Sequence, residues 1–511
     1  MNLKIKNQKI AKIQKEQNQV SISFDIKWLE AWKTKVNCDG VYIFGKYKSK
    51  DGLWKHINLS GKSEGEFNYR NQRPEGYSLG KGKAARKTGI WVPDTKKGFF
   101  IHLLRGEMDI ELTGVTFPWD ITGINEEFEK TEIKVMGIEM VYIPYSKHSI
   151  GDPAKENKPT NCLFKYPHGA YLVKSEAPIE VDKKTGYLYC EQDNERSRDQ
   201  VPFTIPESFP KGVKAFWYMK YGLSSKQYVD FLNTLTRKQQ QTHVRSDISG
   251  DVIEHYYVMT DSDTEQFRQA IIITKEGHGT TEPVTFYTYA PERACNAIAW
   301  KDVAGYAAWA GLRPVTDFEF EKACRGPLPA VTWECAWGSN EIGMVWTFDG
   351  ADGSGNEVKV PKEGLVNACF ARGIAPFDAA AGKTEATYPG WEGPVSIGLF
   401  SKTRHEGIEK RLNDGAGYYG NMELSGNLWE FIVTFGHPKG RGFTPVHGTG
   451  ELDENGFARV ESWPDESGEG TGARGGVYRS PSAKFLAVAL RFAGAHAKST
   501  PRFNGGLRVG F

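Results

Sequence analysis

The sequence predicts an α+β fold, with an antiparallel β-sandwich over residues 19–133 followed by a large loop-rich domain over 134–511. Three observations carry this expectation. Residues 19–133 hold short alternating stretches such as VSISFDIKW, GVYIFGKYK, GFFIHLL and DIELTGVTF, the period-two signature of half-buried strands. Beyond 134 the helices are few, and each carries clear start or stop signals. The chain past Gly326 is dominated by Gly, Pro and aromatic residues, a loop content that is uncommon unless the loops are functional or held from inside.

In chain order, residues 1–18 carry five lysines and read as a basic tail. They contain no apolar run long enough for a secretory leader. The sandwich follows, with turns at Asp51-Gly52, Pro93-Asp94 and Gly106, and about seven to nine strands are expected. In GLSSKQYVDFLNTLT, Ser224 and Gln227 form a capping box, and Tyr228, Phe231, Leu232 and Leu235 share one helical face. AWKDVAGYAAWAGL is a small-residue helix that stops at Gly311. In RPVTDFEFEKACRG, Thr316 and Glu319 form a second box, and Gly326 lies just past the end.

Composition narrows the function. The 65 basic and 63 acidic residues nearly cancel, so no global field favours nucleic acid or a membrane surface. No stretch approaches the roughly 18 apolar residues a membrane span needs. Seven cysteines are scattered with no C-x2-C, which argues for reduced, mostly buried thiols over a disulfide or zinc framework.

An ordered series of segments then carries a resemblance: IEMVYIPYSKHSIGD, FWYMKYGLSSKQYVDFLN, AIAWKDVAGYAAWAGLRPVTDFEFEKACRG, GNLWEF, RGGVYRS and GGLRVGF. The series resembles the formylglycine-generating-enzyme (sulfatase-modifying-factor) family from about 135 to the end. The resemblance implies an elaborated C-type-lectin-like fold. The upstream strands resemble the sandwich that precedes this domain in some bacterial surface proteins. The segment from Arg474-Gly475-Gly476 to Gly506-Leu507-Arg508 is also similar to the variable proteins of diversity-generating retroelements. In those proteins it is the hypervariable, receptor-binding part. Such templates are usually rich in Asn codons, whereas this segment has only Asn504.

The family's oxidative chemistry does not carry over. Its oxidising members use two cysteines shortly after the Arg-Gly-Gly stretch, where this chain reads RGGVYRSPSAKFLAVALRFAG and has no cysteine after Cys369. Neither Ser480 nor Ser482 replaces a copper-binding thiolate. A second branch needs an H-x3-H-x-E pattern, which is absent. His437 and His447 read as a solvated loop pair. The acidic groups Asp349/Asp352 and Asp465/Glu466/Glu469 read as solvated turn residues, not a glycosidase pair. The G-x-G stretches do not lead from strand to helix and are not nucleotide loops.

The stretch NMELSGNLWEF at 421–431 raises a choice between a structural corner and a metal site. Gly426 permits a tight turn, Asn427 bonds local amides, Trp429 supplies a buried plate and Glu430 completes the corner. In some family members the equivalent segment helps bind calcium, so Asn367, Asn427 and Glu430 are the weak metal candidates, and a structural calcium is the one ion considered. The corner reading is preferred. No catalytic residue is assigned. The expected function is a non-enzymatic recognition or adhesion protein, a subunit of a phage tail or contractile injection particle or a displayed surface protein. Its ligand face would comprise Tyr478, Arg479, Ser480, Lys484, Phe485, His496, Arg502, Phe503 and Asn504. Of these, Tyr478, Phe485 and Phe503 are expected on exposed loops beside the core strand Leu486–Val488–Leu490–Phe492. The expected partners are a cell-surface receptor protein or glycan and other subunits of an assembly. The expected location is an extracellular particle or virion surface, with the cytoplasm as the alternative. The competing function is a metal-dependent oxidoreductase with a relocated active site.

Overall fold

The computed structural model describes residues 3–69, 73–159, 162–190, 202–345, 347–354, 356–360, 365–369, 392–402, 408–480, 482–491 and 505–511. It is mostly sheet with a few short helices, an α+β architecture rich in β.

Eight strands open the chain: β1 (Leu3–Gln14), β2 (Gln19–Lys33), β3 (Asp39–Lys48), β4 (Trp54–His56), β5 (Thr88–Trp91), β6 (Phe99–Leu103), β7 (Gly106–Asp120) and β8 (Ile133–Ile143). One antiparallel sheet has the order β1-β2-β7. The alternation in β2 does what its period predicts: Val20, Ile22, Phe24, Ile26 and Trp28 are all buried on one face, since successive side chains point to opposite sides of a strand. Residues 3–14, expected as a basic tail, form β1 and pair with β2 from Leu3↔Trp28 to Gln14↔Gln19. Lys4, Lys6, Lys9 and Lys12 alternate irregularly with Leu3, Ile5, Ile10 and Ile13 there, and these apolar positions gain a packing face only once β2 lies beside them.

The second sheet runs β8-β3-β6-β5, with β4 on the edge of β3. It continues past β8 into the strand Phe216–Met219, so it extends beyond residue 133. Both faces of β3 are covered. Val41 and Ile43 face the core shared with β2 and β7, while Tyr42 and Phe44 face a larger core built with the helices.

Helices α1 (Ser225–Leu232) and α3 (Trp300–Ala310) pack on that second face; α2 (Arg237–His243) follows α1, and α4 (Asp317–Arg325) sends Phe318 to the same core and Phe320, Ala323 and Cys324 to a separate one with Val141 and Ile143 of β8. The boxes read at Ser224/Gln227 and Thr316/Glu319 are present, and Gly311 and Gly326 end their helices. A third box, Thr236 with Gln239, starts α2. This helix has no apolar stripe, so periodicity does not reveal it. β3 completes the last turn of α3: the Tyr42 hydroxyl donates to Ala310 O at 3.0 Å, and Lys46 Nζ to Trp309 O at 2.7 Å. These carbonyls have no partner inside their own helix. The chain ends at this seam, with Trp217 N donating to Phe511 O at 2.9 Å.

Three charges meet inside the same seam. Lys220 Nζ lies 2.9 Å from Asp39 Oδ2 and 3.8 Å from Glu139 Oε2. Asp39 takes the closer contact, and burial pushes Glu139 up to about 7 from its ordinary 4.5. The folded state therefore keeps a proton that the unfolded chain releases. The stabilising contribution of Glu139 is complete below about pH 4.5 and is lost as pH rises through 7. Glu139→Gln removes that loss. Urea unfolding should find the variant gaining on wild type by about 2 kcal/mol between pH 5 and pH 8. A difference that does not change with pH would show that Glu139 is ionised throughout.

Candidate functional site

The site is assembled on α4. Its positions 317, 321 and 325 lie on one face by helical spacing, and Asp317, Glu321 and Arg325 are all about 1% exposed. Opposite them runs the strand Thr471–Arg474, which pairs antiparallel with the strand Trp429–Val433. Arg474 reaches across to donate to Asp317 and, at 2.7 Å, to Glu321 Oε1. Its Nη2 also donates to Val488 O at 2.6 Å. Arg491 Nη2 donates to the other oxygen of Asp317 at 2.6 Å, and Arg325 joins Glu321 to Glu334. Burial pushes the Glu321 carboxyl up, but Arg474 and Arg325 outweigh it and hold it below the ordinary carboxylate value. The chain from 474 to 491 is thus fastened to α4 at both ends by charge-assisted bonds.

The turn into this chain requires glycine. Gly475 has φ +88°, and a Cβ there would lie 2.4 Å from Leu424 O. The corner at 421–431 abuts it, with Gly426 N donating to Gly475 O at 2.7 Å. Gly426 itself has φ +92°, with its absent Cβ 2.8 Å from Cys369 O. Asn427 takes the left-handed conformation (φ +62°). Its N donates to Cys369 O at 2.9 Å, its O accepts from Tyr478 N at 2.9 Å, and its Oδ1 accepts from Val395 N at 2.9 Å. The residue therefore ties three separate loops. Glu430 is buried and paired with Arg508 at 3.0 Å. Asn367 Oδ1 accepts from Gly343 N at 2.9 Å, and its Nδ2 donates to Glu341 O and Leu412 O. The three weak metal candidates are thus each engaged by protein groups. Trp429 is only half-buried, a correction to the buried plate, because it packs at the margin of the cluster that holds Val395, Leu428 and Tyr478. Asn427→Ala should cost about 1–3 kcal/mol, since the Val395 amide loses its acceptor in the interior. Thermal unfolding checks this, and a change below about 0.3 kcal/mol would remove the corner from the list of structural anchors.

Not all expected face residues are exposed. Tyr478 is 0% exposed and Ser480 1%, so both belong to the interior, a correction to the exposed loop expected for Tyr478. The Asn427 corner covers the tyrosine, and Ser480 Oγ accepts from Val477 N at 2.9 Å. Arg479 and Lys484 reach the surface beside aromatic rings: Arg479 stands 5.0 Å over Phe267 and pairs with Glu392 at 3.2 Å, and Lys484 Nζ lies 5.1 Å from the Trp333 ring. Phe485 is half-buried. Leu486 and Val488 are buried as expected, but 483–486 forms a 3-10 turn instead of a strand. Backbone bonds from Ala487 N to Lys484 O and from Val488 N to Glu334 O replace a ladder there. Phe492, His496, Arg502, Phe503 and Asn504 lie outside the described residues.

The sequence reading missed one neighbouring cluster. Asp352 holds Arg268, and it also holds Arg293 at 2.8 Å. Arg293 reaches Glu265 at 3.2 Å, and Glu265 accepts from the exposed Tyr289 hydroxyl. Asp352 is therefore paired, not simply solvated. No local spacing links positions 265, 293 and 352, so no motif could have found them. His437 caps a short helix by accepting from Lys439 N. His447 packs 4.1 Å from the Phe511 ring, and burial pulls it down to about 3, so it is not a solvated loop histidine. Asp465 and Glu469 remain at the surface, both paired with Lys439.

The thiols are held away from reactivity. Six of the seven cysteines are buried and Cys190 is partly buried. Burial pushes Cys369, the thiol next to the corner, up to about 12, which leaves almost no thiolate at neutral pH. Residues 175–509 match the family model of the sulfatase-modifying factor enzyme 1-like domain, well over half of the chain. The resemblance read from the sequence began earlier, near 135. No curated protein matches the chain.

Proposed function

The chain belongs to the sulfatase-modifying factor enzyme 1-like domain family, and from that premise we propose that it is a non-enzymatic recognition protein. One observation carries the reading. The segment after Arg474-Gly475-Gly476, which supplies two cysteines in the oxidising members the chain resembles, has no thiol and is clamped to α4 by buried charge. Copper-dependent oxidation needs a thiolate at that place. A rigid frame under surface arginine, lysine and aromatic groups suits binding instead, because little freedom is lost when a partner docks.

On this reading the family domain is a C-type-lectin-like scaffold, similar in use to the variable proteins of diversity-generating retroelements. The two N-terminal sheets form a sandwich that serves as attachment or spacer. The ligand face runs along the C-terminal segment and includes Arg479 over Phe267, Lys484 beside Trp333, and Phe485. Its partners are a cell-surface receptor protein or glycan and the other subunits of a phage tail or contractile injection particle. It works outside the cell as part of that particle, and no cofactor is part of this reading.

The test pairs two measurements on the full chain. Binding to glycan arrays and to intact bacterial cells should be detectable, and Arg479→Ala should weaken it by at least about 1 kcal/mol without moving the melting temperature. A cysteine-containing sulfatase peptide should gain no aldehyde by mass spectrometry, with or without copper. Aldehyde formed at catalytic turnover would overturn the proposal in favour of an oxidoreductase with a relocated site.

A further inference from the structure

A cavity of about 430 Å³ lies where β1 and β8 meet α1 and α3, away from the C-terminal segment. Ile5, Met136 and Pro291 line it half-buried, beside the buried Phe44, Tyr306 and Trp309, and its size falls within the range of about 300–1,000 Å³ seen for small-molecule sites. A β-bulge shapes one side. The register of β1 against β2 shifts between Lys6 and Lys9, with Asn7 at φ +54°. This turns Gln8 across the seam, where its Oε1 accepts from Val135 N at 2.7 Å, as bulges commonly re-aim a side chain.

The charges around the cavity are unequal. Asp230 is paired with Lys226, its neighbour on α1, and Glu292 is also engaged within the fold. The lining carries Lys4, Lys6, Lys134 and Lys226 against Asp230 and Glu292, an excess of positive charge for a ligand to meet. Lys4 and Lys6 are exposed at the rim. Lys134 Nζ lies 4.4 Å over the Trp54 ring and donates to Asn233 O at 3.4 Å. Burial holds Lys134 below the ordinary lysine value, a strain that an anion alongside would relieve.

We propose that this cavity binds an amphiphilic monoanion, an aliphatic or aromatic carboxylate with its apolar body against Ile5, Met136 and Pro291 and its charge toward Lys6 and Lys134. The apolar lining removes hydrocarbon from water, and the lysines select the sign of the head group. The walls come from the N-terminal sheets and from helices of the family domain, so an occupant clamps the two. The site is independent of the recognition face.

Titration of the full chain with 8-anilinonaphthalene-1-sulfonate, followed by displacement, tests it. Fluorescence should rise in a saturable, single-site manner. Decanoate should displace the probe at concentrations about tenfold lower than decanol or decylamine, a ratio that corresponds to about 1.4 kcal/mol. The K6E/K134E double variant should lose decanoate affinity by about tenfold or more. If the double variant does not fold, Lys6→Glu alone, at an exposed position, should still weaken decanoate and not decanol. Non-saturable fluorescence, equal displacement by all three head groups, or charge variants that bind as wild type would each overturn the proposal.

Discussion

Arg474→Met is expected to lower the unfolding free energy by about 3–5 kcal/mol, the loss typical of removing one partner from a buried ion pair. Arg474 is the only one of these groups that bonds both Asp317 and Glu321 on α4, and it also holds Val488 O. A methionine fills much of the volume but leaves two buried carboxylates short of a cation. Arg491 and Arg325 still touch them, which is why the loss stays within this range. The full signature needs a second variant. Adding Glu321→Gln alone to Arg474→Met should recover part of the loss, because one anion is then removed for the one cation lost, Asp317 keeps Arg491 and Glu334 keeps Arg325. Urea unfolding measures both, and a loss under about 1 kcal/mol for the single change would mean that apolar packing holds the segment.

Trp217→Ala should cost about the same, 3–5 kcal/mol, as a large buried ring replaced by a cavity. The ring is 1% exposed and lies at the meeting of the second sheet and the family domain. Its centroid is 4.5 Å from Phe100, 5.0 Å from Phe67 and 5.3 Å from Tyr142. Gly40 leaves room for it, since a Cβ there would stand 3.0 Å from the indole. Phe100 belongs to β6 and Trp217 to the strand that extends the same sheet past β8. The N-terminal sheets and the family domain should therefore unfold in one transition that moves as a whole in the variant. Calorimetry with two resolved transitions, one of them unmoved by Trp217→Ala, would show that the N-terminal sheets fold without this contact.

What the sequence by itself determined is the part of this protein that short-range physics controls. Period-two alternation placed β2, β3, β6 and β7, because a strand turns every second side chain to one face whatever lies beside it. The boxes at Ser224 and Thr316 were legible because capping acts across three residues. The missing thiol after Arg474 was legible because an absent residue type needs no coordinates, and the ordered segments carried the family. The tertiary structure alone decided which of the remaining residues are inside. In lysine-rich β1 the alternation that starts at Leu3 and Ile5 is broken after Lys6 by a register shift, and the stretch is a strand only against β2. Tyr478 has the sequence surroundings of a surface loop and is covered by a corner some fifty positions earlier. Asp317 and Glu321 look like ordinary acidic positions one turn apart on a helix until Arg474 and Arg491 arrive from more than 150 residues away. Burial depends on what remote chain covers a residue, and an ion pair on which charge that chain brings. Neither is written in the spacing of neighbours.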